Sequence, residues 1–175
     1  MVLGRFGRSV RVGLVAVTLV AGVSVLSACS TAGIGAFGQN KLEVAELSNI
    51  GDYTADRALG EAKAHFRNGN YGHSAALYKR AVELSPNDAQ AYVGLGASYD
   101  RIGRFELADR VYASLYKMTG GTTQYYNNVG YSQMLRGNLS QALTNFQKAQ
   151  ALDPDNLVVA NNIQILKDAA ASSRA

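Results

Sequence analysis

The chain has 175 residues, 47% of them hydrophobic and 17% charged, a balance that suits one folded domain and excludes an intrinsically disordered polypeptide. Its formal net charge is +4, but Arg5, Arg8 and Arg11 lie in an acid-free N-terminal stretch; taking those three from the 17 basic residues leaves 14 against 13 acidic ones, a net of +1. A nearly neutral body offers no clustered basic face for a nucleic-acid backbone, and a single cysteine, Cys29, excludes an internal disulfide framework.

In chain order, Met1–Arg11 carries the three arginines, and Val12–Ala28 then runs without a charge, dominated by Val, Leu, Ala and Gly. That is the basic region followed by an apolar region of an export signal; an uncleaved membrane-spanning helix is the alternative, since the run is only slightly short of a span. It ends on Leu26-Ser27-Ala28-Cys29, which resembles the lipobox of bacterial lipoproteins. The resemblance implies that a signal peptide, residues 1–28, is removed and that Cys29 becomes an acylated N-terminus. Several acyl chains hold a membrane more firmly than one, each buried methylene contributing about 0.8 kcal/mol. Ser30 stands where an aspartate often retains lipoproteins at the inner membrane. By the same analogy the expected location is the periplasmic face of the outer membrane.

Residues 29–54 read as a lipidated start and a tether. Ser30–Gln39 is uncharged and rich in Gly, Ala and Ser, a flexible composition. Lys41–Ile50 carries apolar residues at 42, 44, 45, 47 and 50. It is either a short amphipathic helix capping the segment from residue 55 onward or a linker with a few hydrophobic residues.

From residue 55 to 156 one pattern recurs with a 34-residue period, in units 55–88, 89–122 and 123–156. Each unit predicts two helices around a glycine, at Gly69, Gly103 and Gly137, where a left-handed residue ends the first helix. Arg67, Arg101 and Arg136 fall in the last turn before it and complement the helix dipole. Asn70 and Asn138 stand in place to cap the second helix. Pro86 and Pro154 close that helix, and Asn87-Asp88 and Asp155-Asn156 can cap the next. Ala62, Gly96 and Gly130, with Ser74, Ala108 and Ala142, are small where two helices would cross. Tyr78, Tyr112 and Phe146 fill the gap towards the following unit. One junction differs: Met118–Thr123 places glycines and threonines where the others have proline, either a bend or a longer turn. Leu157–Ala171 continues as a capping helix, and residues 172–175 form a tail.

A fixed 34-residue period with small, aromatic and breaker residues at constant offsets resembles the tetratricopeptide (TPR) family. The resemblance implies an all-α, right-handed solenoid of three helix-turn-helix repeats closed by a C-terminal capping helix. A single hairpin cannot bury its apolar face alone, so the stack supplies the stability.

No catalytic constellation emerges. The only histidines are His65 and His73; the first takes a core-facing offset and is expected half-buried and hydrogen-bonded, the second faces outward, and neither belongs to a metal-ligand spacing. Gly94-Leu95-Gly96 lies mid-helix and lacks the strand and third glycine of a dinucleotide fingerprint. Neither an enzyme, a cofactor, a metal nor a small-molecule substrate is therefore expected. In TPR proteins the first helices line a concave groove, beside their packing positions. That offset selects Asn127, Tyr131 and Met134 in the third unit, Asn161 in the terminal helix, Leu59, Lys63, Phe66 and Arg67 in the first unit, and Val93, Ala97, Asp100 and Arg101 in the second. Among them Asn127, Tyr131, Asn161, Asp100, Arg101, Lys63 and Arg67 are the candidate partner-binding residues. Asn127 and Asn161 recur with the period; their carboxamides can grip the backbone of an extended peptide, or bond to each other and hold the stack in register. Tyr131 offers a large rigid anchor with a polar tip. The groove is neither strongly basic nor strongly acidic, so a clamp for carboxylate tails is not indicated.

Tyr126–Asn138 (YNNVGYSQMLRGN), Ala151–Asn156, Asn161-Asn162 and Arg101–Ala108 together resemble the TadD-type lipoproteins of Flp (tight adherence) pilus assembly. That resemblance implies a pilotin-like scaffold holding a secretin or another pilus-assembly subunit at the outer membrane. A different TPR lipoprotein, an adaptor for outer-membrane protein insertion or for cell-wall enzymes, is the alternative.

Overall fold

A computed structural model describes residues 43–172. The signal segment, Cys29, the tether to residue 42 and the tail from residue 173 lie outside the described residues. Within them the chain forms α1 (Ala55–Arg67), α2 (Tyr71–Leu84), α3 (Ala89–Arg101), α4 (Phe105–Thr119), α5 (Thr123–Leu135), α6 (Leu139–Leu152) and α7 (Leu157–Ser172). No helix among them is long and apolar enough to cross a membrane.

The breaks fall where the sequence puts them. Gly69, Gly103 and Gly137 have φ of 76°, 70° and 81°, the left-handed conformation that glycine adopts without a Cβ penalty. The first helix of each unit has a side-chain cap: Thr54 Oγ1 accepts from Arg57 N–H, Asp88 Oδ1 from Gln90 N–H and Thr122 Oγ1 from Tyr125 N–H. Asn156 accepts from Val158 and Val159 N–H and starts α7 in the same way. The second helices differ from expectation. Asn70 and Asn138 occupy the cap positions, but neither side chain caps its helix, and the amide of Asn138 turns back to Gln133 Oε1 at 2.9 Å. Their ψ angles of 62° and 64° depart from the extended backbone of a capping residue. Arg104, with ψ 59°, takes the same turn, so the glycine turn and not the asparagine side chain sets the entry to these helices.

Each helix packs on its neighbour in sequence, and α1, α3, α5 and α7 also meet in succession. The first helices therefore form one layer and the second helices the other. Small residues let the two layers approach. The ring of Phe146 lies over Gly130, where an added Cβ would come within 2.7 Å of it, and it shares a buried cluster with Val159 and Ile163 of α7. Tyr112 lies over Gly96 in the same manner, with Val129 of the next unit against its cluster. Tyr78 reaches Gly94 of the following unit. Each aromatic thus closes its own hairpin or joins it to the next, as expected, and full burial of Phe146 contributes about 2–3 kcal/mol.

Both ends of the stack are covered. The segment before α1 is not a helix: residues 43–47 carry no regular secondary structure, and one 3-10 turn spans Ile50–Asp52. Ala45 N–H donates to Gly72 O at 3.2 Å, Arg80 donates to Gly51 O at 2.9 Å, and Val44, Leu47 and Ile50 pack against the core of the first two units. Gly72 permits this strap, because a side chain there would collide with Glu43 O. Left-handed Asn49, φ 60°, also interrupts any helix. At the other end α7 buries Val159, Ile163 and Leu166 but leaves Leu157 83% exposed. The 118–123 junction is not a longer turn: α4 runs to Thr119, Gly120 takes φ 67° and Thr122 caps α5, so three residues link these helices where four link α2 to α3 and α6 to α7.

Candidate functional site: the concave groove

Four helices of the first layer and the ring of Tyr112 enclose a groove of about 320 Å³. Phe66 comes from α1, Ala97 and Arg101 from α3, Asn127, Asn128 and Tyr131 from α5, and Asn162 from α7. Three of the candidates read from sequence, Arg101, Asn127 and Tyr131, meet here.

The asparagine pair is shifted by one residue from its expected register. Asn161 is exposed and does not line the groove; Asn162 does, and its Nδ2 donates to Asn127 Oδ1 at 2.8 Å. The bond joins α5 to α7, so part of the carboxamide chemistry holds the stack in register. It uses one donor group and one acceptor. The other amide nitrogen and the other carbonyl of the pair have no protein partner among the described residues. That leftover set matches the C=O and N–H of a peptide unit. Asn128, absent from the sequence candidates, lines the same groove, and its Nδ2 is buried without a partner. The doublets Asn127-Asn128 and Asn161-Asn162 are the sequence signal that could have found it.

Asp100 is not a groove residue. It is 4% exposed and accepts from Tyr112 OH at 2.8 Å and from Ser132 Oγ at 2.7 Å, with a nitrogen of Arg136 at 3.9 Å. Burial raises its pKa from 3.8 to about 6, against the lowering effect of those hydrogen bonds and of Arg136. Desolvation and the neighbouring carboxylate push the Tyr112 phenol well above its ordinary value. Arg136 completes the cluster, donating to the Asp109 carboxylate, to Ser132 Oγ and to Phe105 O. Met134 is likewise buried, at 4% exposure, in the core shared by α5, α6 and α7. Both lie on the side of their helix that turns into the stack.

Of the cations, Lys63 donates to Gln90 Oε1 at 2.6 Å and ties α1 to α3, while Arg67 sits exposed at the end of α1. The half-buried Arg101 differs from both. Its guanidinium lies over the ring of Tyr71, 4.2 Å from the centroid, and Phe66 braces that ring edge-on at 5.2 Å. His65 and His73 stack on each other at 5.2 Å and 13°. His65 is half-buried as expected, but its Nδ1 finds no hydrogen-bond partner.

Comparison with known proteins agrees with this architecture. The TPR repeat family matches residues 62–103 and the tetratricopeptide repeat family residues 123–156. Small glutamine-rich tetratricopeptide repeat-containing protein 2 of Mycosarcoma maydis is 25% identical over 104 residues, 59% of this chain but only 30% of the relative. The chain thus spans less than a third of that curated relative. The first TPR domain of human RPAP3 superposes with a TM-score of 0.60 at 18% identity, covering 69% of this chain and 95% of that one. The first TPR of Spaghetti (RPAP3) bound to the HSP90 peptide SRMEEVD gives 0.57 at 18% identity, covering 67% and 94%. The described residues form a tetratricopeptide solenoid of three repeats and a capping helix.

Proposed function

We propose that this chain is a non-catalytic, lipid-anchored scaffold whose concave groove holds an extended segment of a partner protein. The observation that carries the reading is the Asn127–Asn162 pair, two residues that line the same groove as Tyr131 and leave one donor and one acceptor unused between them. Such a pair recognises backbone, and the tyrosine beside it supplies a rigid anchor for a side chain. A structural neighbour with a bound HSP90 peptide supports a protein or peptide partner.

The finer assignment is to assembly of a Flp (tight adherence) pilus, with the protein held through Cys29 at the periplasmic face of the outer membrane and a secretin or another pilus-assembly subunit in the groove. It is supported by the TadD-like run Tyr126–Asn138, whose residues Asn127, Asn128 and Tyr131 line the groove. Crosslinked pull-down of the lipidated protein from membranes tests it. Pilus-machine subunits should be recovered with the wild type and depleted with Tyr131→Ala. Recovery that ignores Tyr131 removes the groove from the mechanism, and recovery of outer-membrane insertion factors or cell-wall enzymes favours an adaptor role. Cys29→Ala should abolish incorporation of labelled palmitate; label persisting in that variant defeats the lipid anchor.

A further inference from the structure

Resting on the reading of the groove as a site for an extended protein segment, we infer that Arg101 selects the partner, and that the bound segment places an aspartate or glutamate side chain on its guanidinium. Arg101 is half-buried and stacked on Tyr71, which Phe66 braces in turn. The side chain is therefore pre-organised, and little rotamer entropy is left to lose when a ligand arrives. Among the described residues no carboxylate lies within ion-pair distance of it and no hydrogen bond uses its N–H groups. A partly desolvated cation without a counter-charge is costly. Two other arginines that are largely buried hold acceptors within the protein: Arg136 holds Asp109 and Phe105 O, and Arg80 holds Gly51 O.

The acid among the sequence candidates does not reach the groove. Asp100, the acid expected beside Arg101, is turned inward and occupied by Tyr112 and Ser132. No aspartate or glutamate lines the cavity that Arg101 lines, and Lys63 and Arg67 stand on α1 next to Phe66. An acidic segment thus meets attraction and no repulsion. A carboxylate fits better than a phosphate. One face of the guanidinium is covered by Tyr71, which leaves the planar fork that pairs with a carboxylate through two parallel N–H bonds, whereas Arg101 is the single cation lining the cavity and a doubly charged phosphate would be left half-neutralised.

The test uses the full lipidated chain in detergent micelles. A displayed library of random segments about a dozen residues long is selected on it, and the recovered segments are synthesised with both ends blocked, so that any carboxylate belongs to a side chain. Each acidic residue is then changed to its amide counterpart. On the wild type, one such Glu→Gln change should weaken binding about tenfold, the effect of a lost charge-assisted hydrogen bond. On Arg101→Gln the acidic and amide peptides should bind alike; Arg101→Lys should restore part of the preference. If recovered segments bind equally well as amides, or if the preference survives Arg101→Gln, the assignment of Arg101 is overturned while the groove reading stands, provided Tyr131→Ala still weakens binding. If no recovered segment responds to Tyr131→Ala, or none is recovered, the groove reading falls and the inference with it. Should Arg101→Gln lose helix content, the wild-type ratio and the Lys variant decide the matter.

Discussion

The joint between the first and second repeats and the joint between the second and third are built on the same frame with opposite chemistry. At the first, Ser98 donates to Gly94 O at 2.7 Å and lies 3.0 Å from Ser74 Oγ, which is itself 3.0 Å from Ala62 O. Two neutral hydroxyls satisfy each other and the backbone, fully buried. One period later Ser132 stands where Ser98 stood, but Ala108 replaces Ser74 and cannot answer it. Its hydroxyl turns instead to Asp100, and the carboxylate gathers Tyr112, with Arg136 close by. At the third joint the equivalent residue is Leu166, buried in an apolar cluster. A solenoid frame thus tolerates hydroxyl, ionic or apolar pairing at one position. The ionic version carries a liability that the others lack, because a buried charge must keep all its partners.

That contrast can be broken most severely at Asp100. Asp100→Ala leaves Ser132 and Tyr112 without their acceptor, and it should destabilise the protein by about 3 kcal/mol, read from the urea midpoint at constant m-value. Next in size is Gly94→Ala at the first joint, where a methyl group would run into the buried ring of Tyr78; overpacking of this kind costs about 2 kcal/mol. Equal stability in these two variants and the wild type would show that the joints are looser than the contacts imply.

The smaller effects sharpen the comparison. Asp100 titrates near 6 in the fold against a usual 3.8. Between those values the folded chain holds a proton that the unfolded chain has released, so stability is greater at pH 5 than at pH 7 and is lost as pH rises through 6. The gain should be about 1 kcal/mol, seen as a higher melting temperature at pH 5 and absent from Asp100→Asn. Ser98→Ala should cost about 1 kcal/mol, since Ser74 keeps Ala62 O as acceptor, and it should leave the pH profile of the wild type intact. A pH response lost in Ser98→Ala and kept in Asp100→Asn would assign the titration to the wrong joint.

Much of the fold was legible because it depends on local chemistry. The glycines at 69, 103 and 137 demand a left-handed turn wherever the chain goes, and Asp88 and Asn156 cap the helices that come after them. The groove was legible in part. Arg101, Asn127 and Tyr131 line the groove as their offset predicts. Asp100 and Met134 turn into the stack instead, and Asn161 to solvent. Neighbouring residues on a helix are separated by about 100°, so a one-residue shift moves a side chain from groove to interior, and Asn162 takes the place that periodicity assigned to Asn161. The strap was ambiguous for another reason: five apolar positions over Lys41–Ile50 suit a short helix or a linker with a few hydrophobic residues, and the bare backbone of Gly72, with left-handed Asn49, goes with the non-helical form.

By itself the sequence determined the period, the helix boundaries and which residues are small where helices cross, since each is set by a local backbone requirement or a spacing. The tertiary structure alone decided where the polar leftovers go. A carboxylate such as Asp100 is held inside because Tyr112 and Ser132 converge on it from α4 and α5, where Ala108 of α4 offers Ser132 no hydroxyl. That convergence depends on how three helices cross, and it is what leaves Arg101 as the lone charge lining the groove.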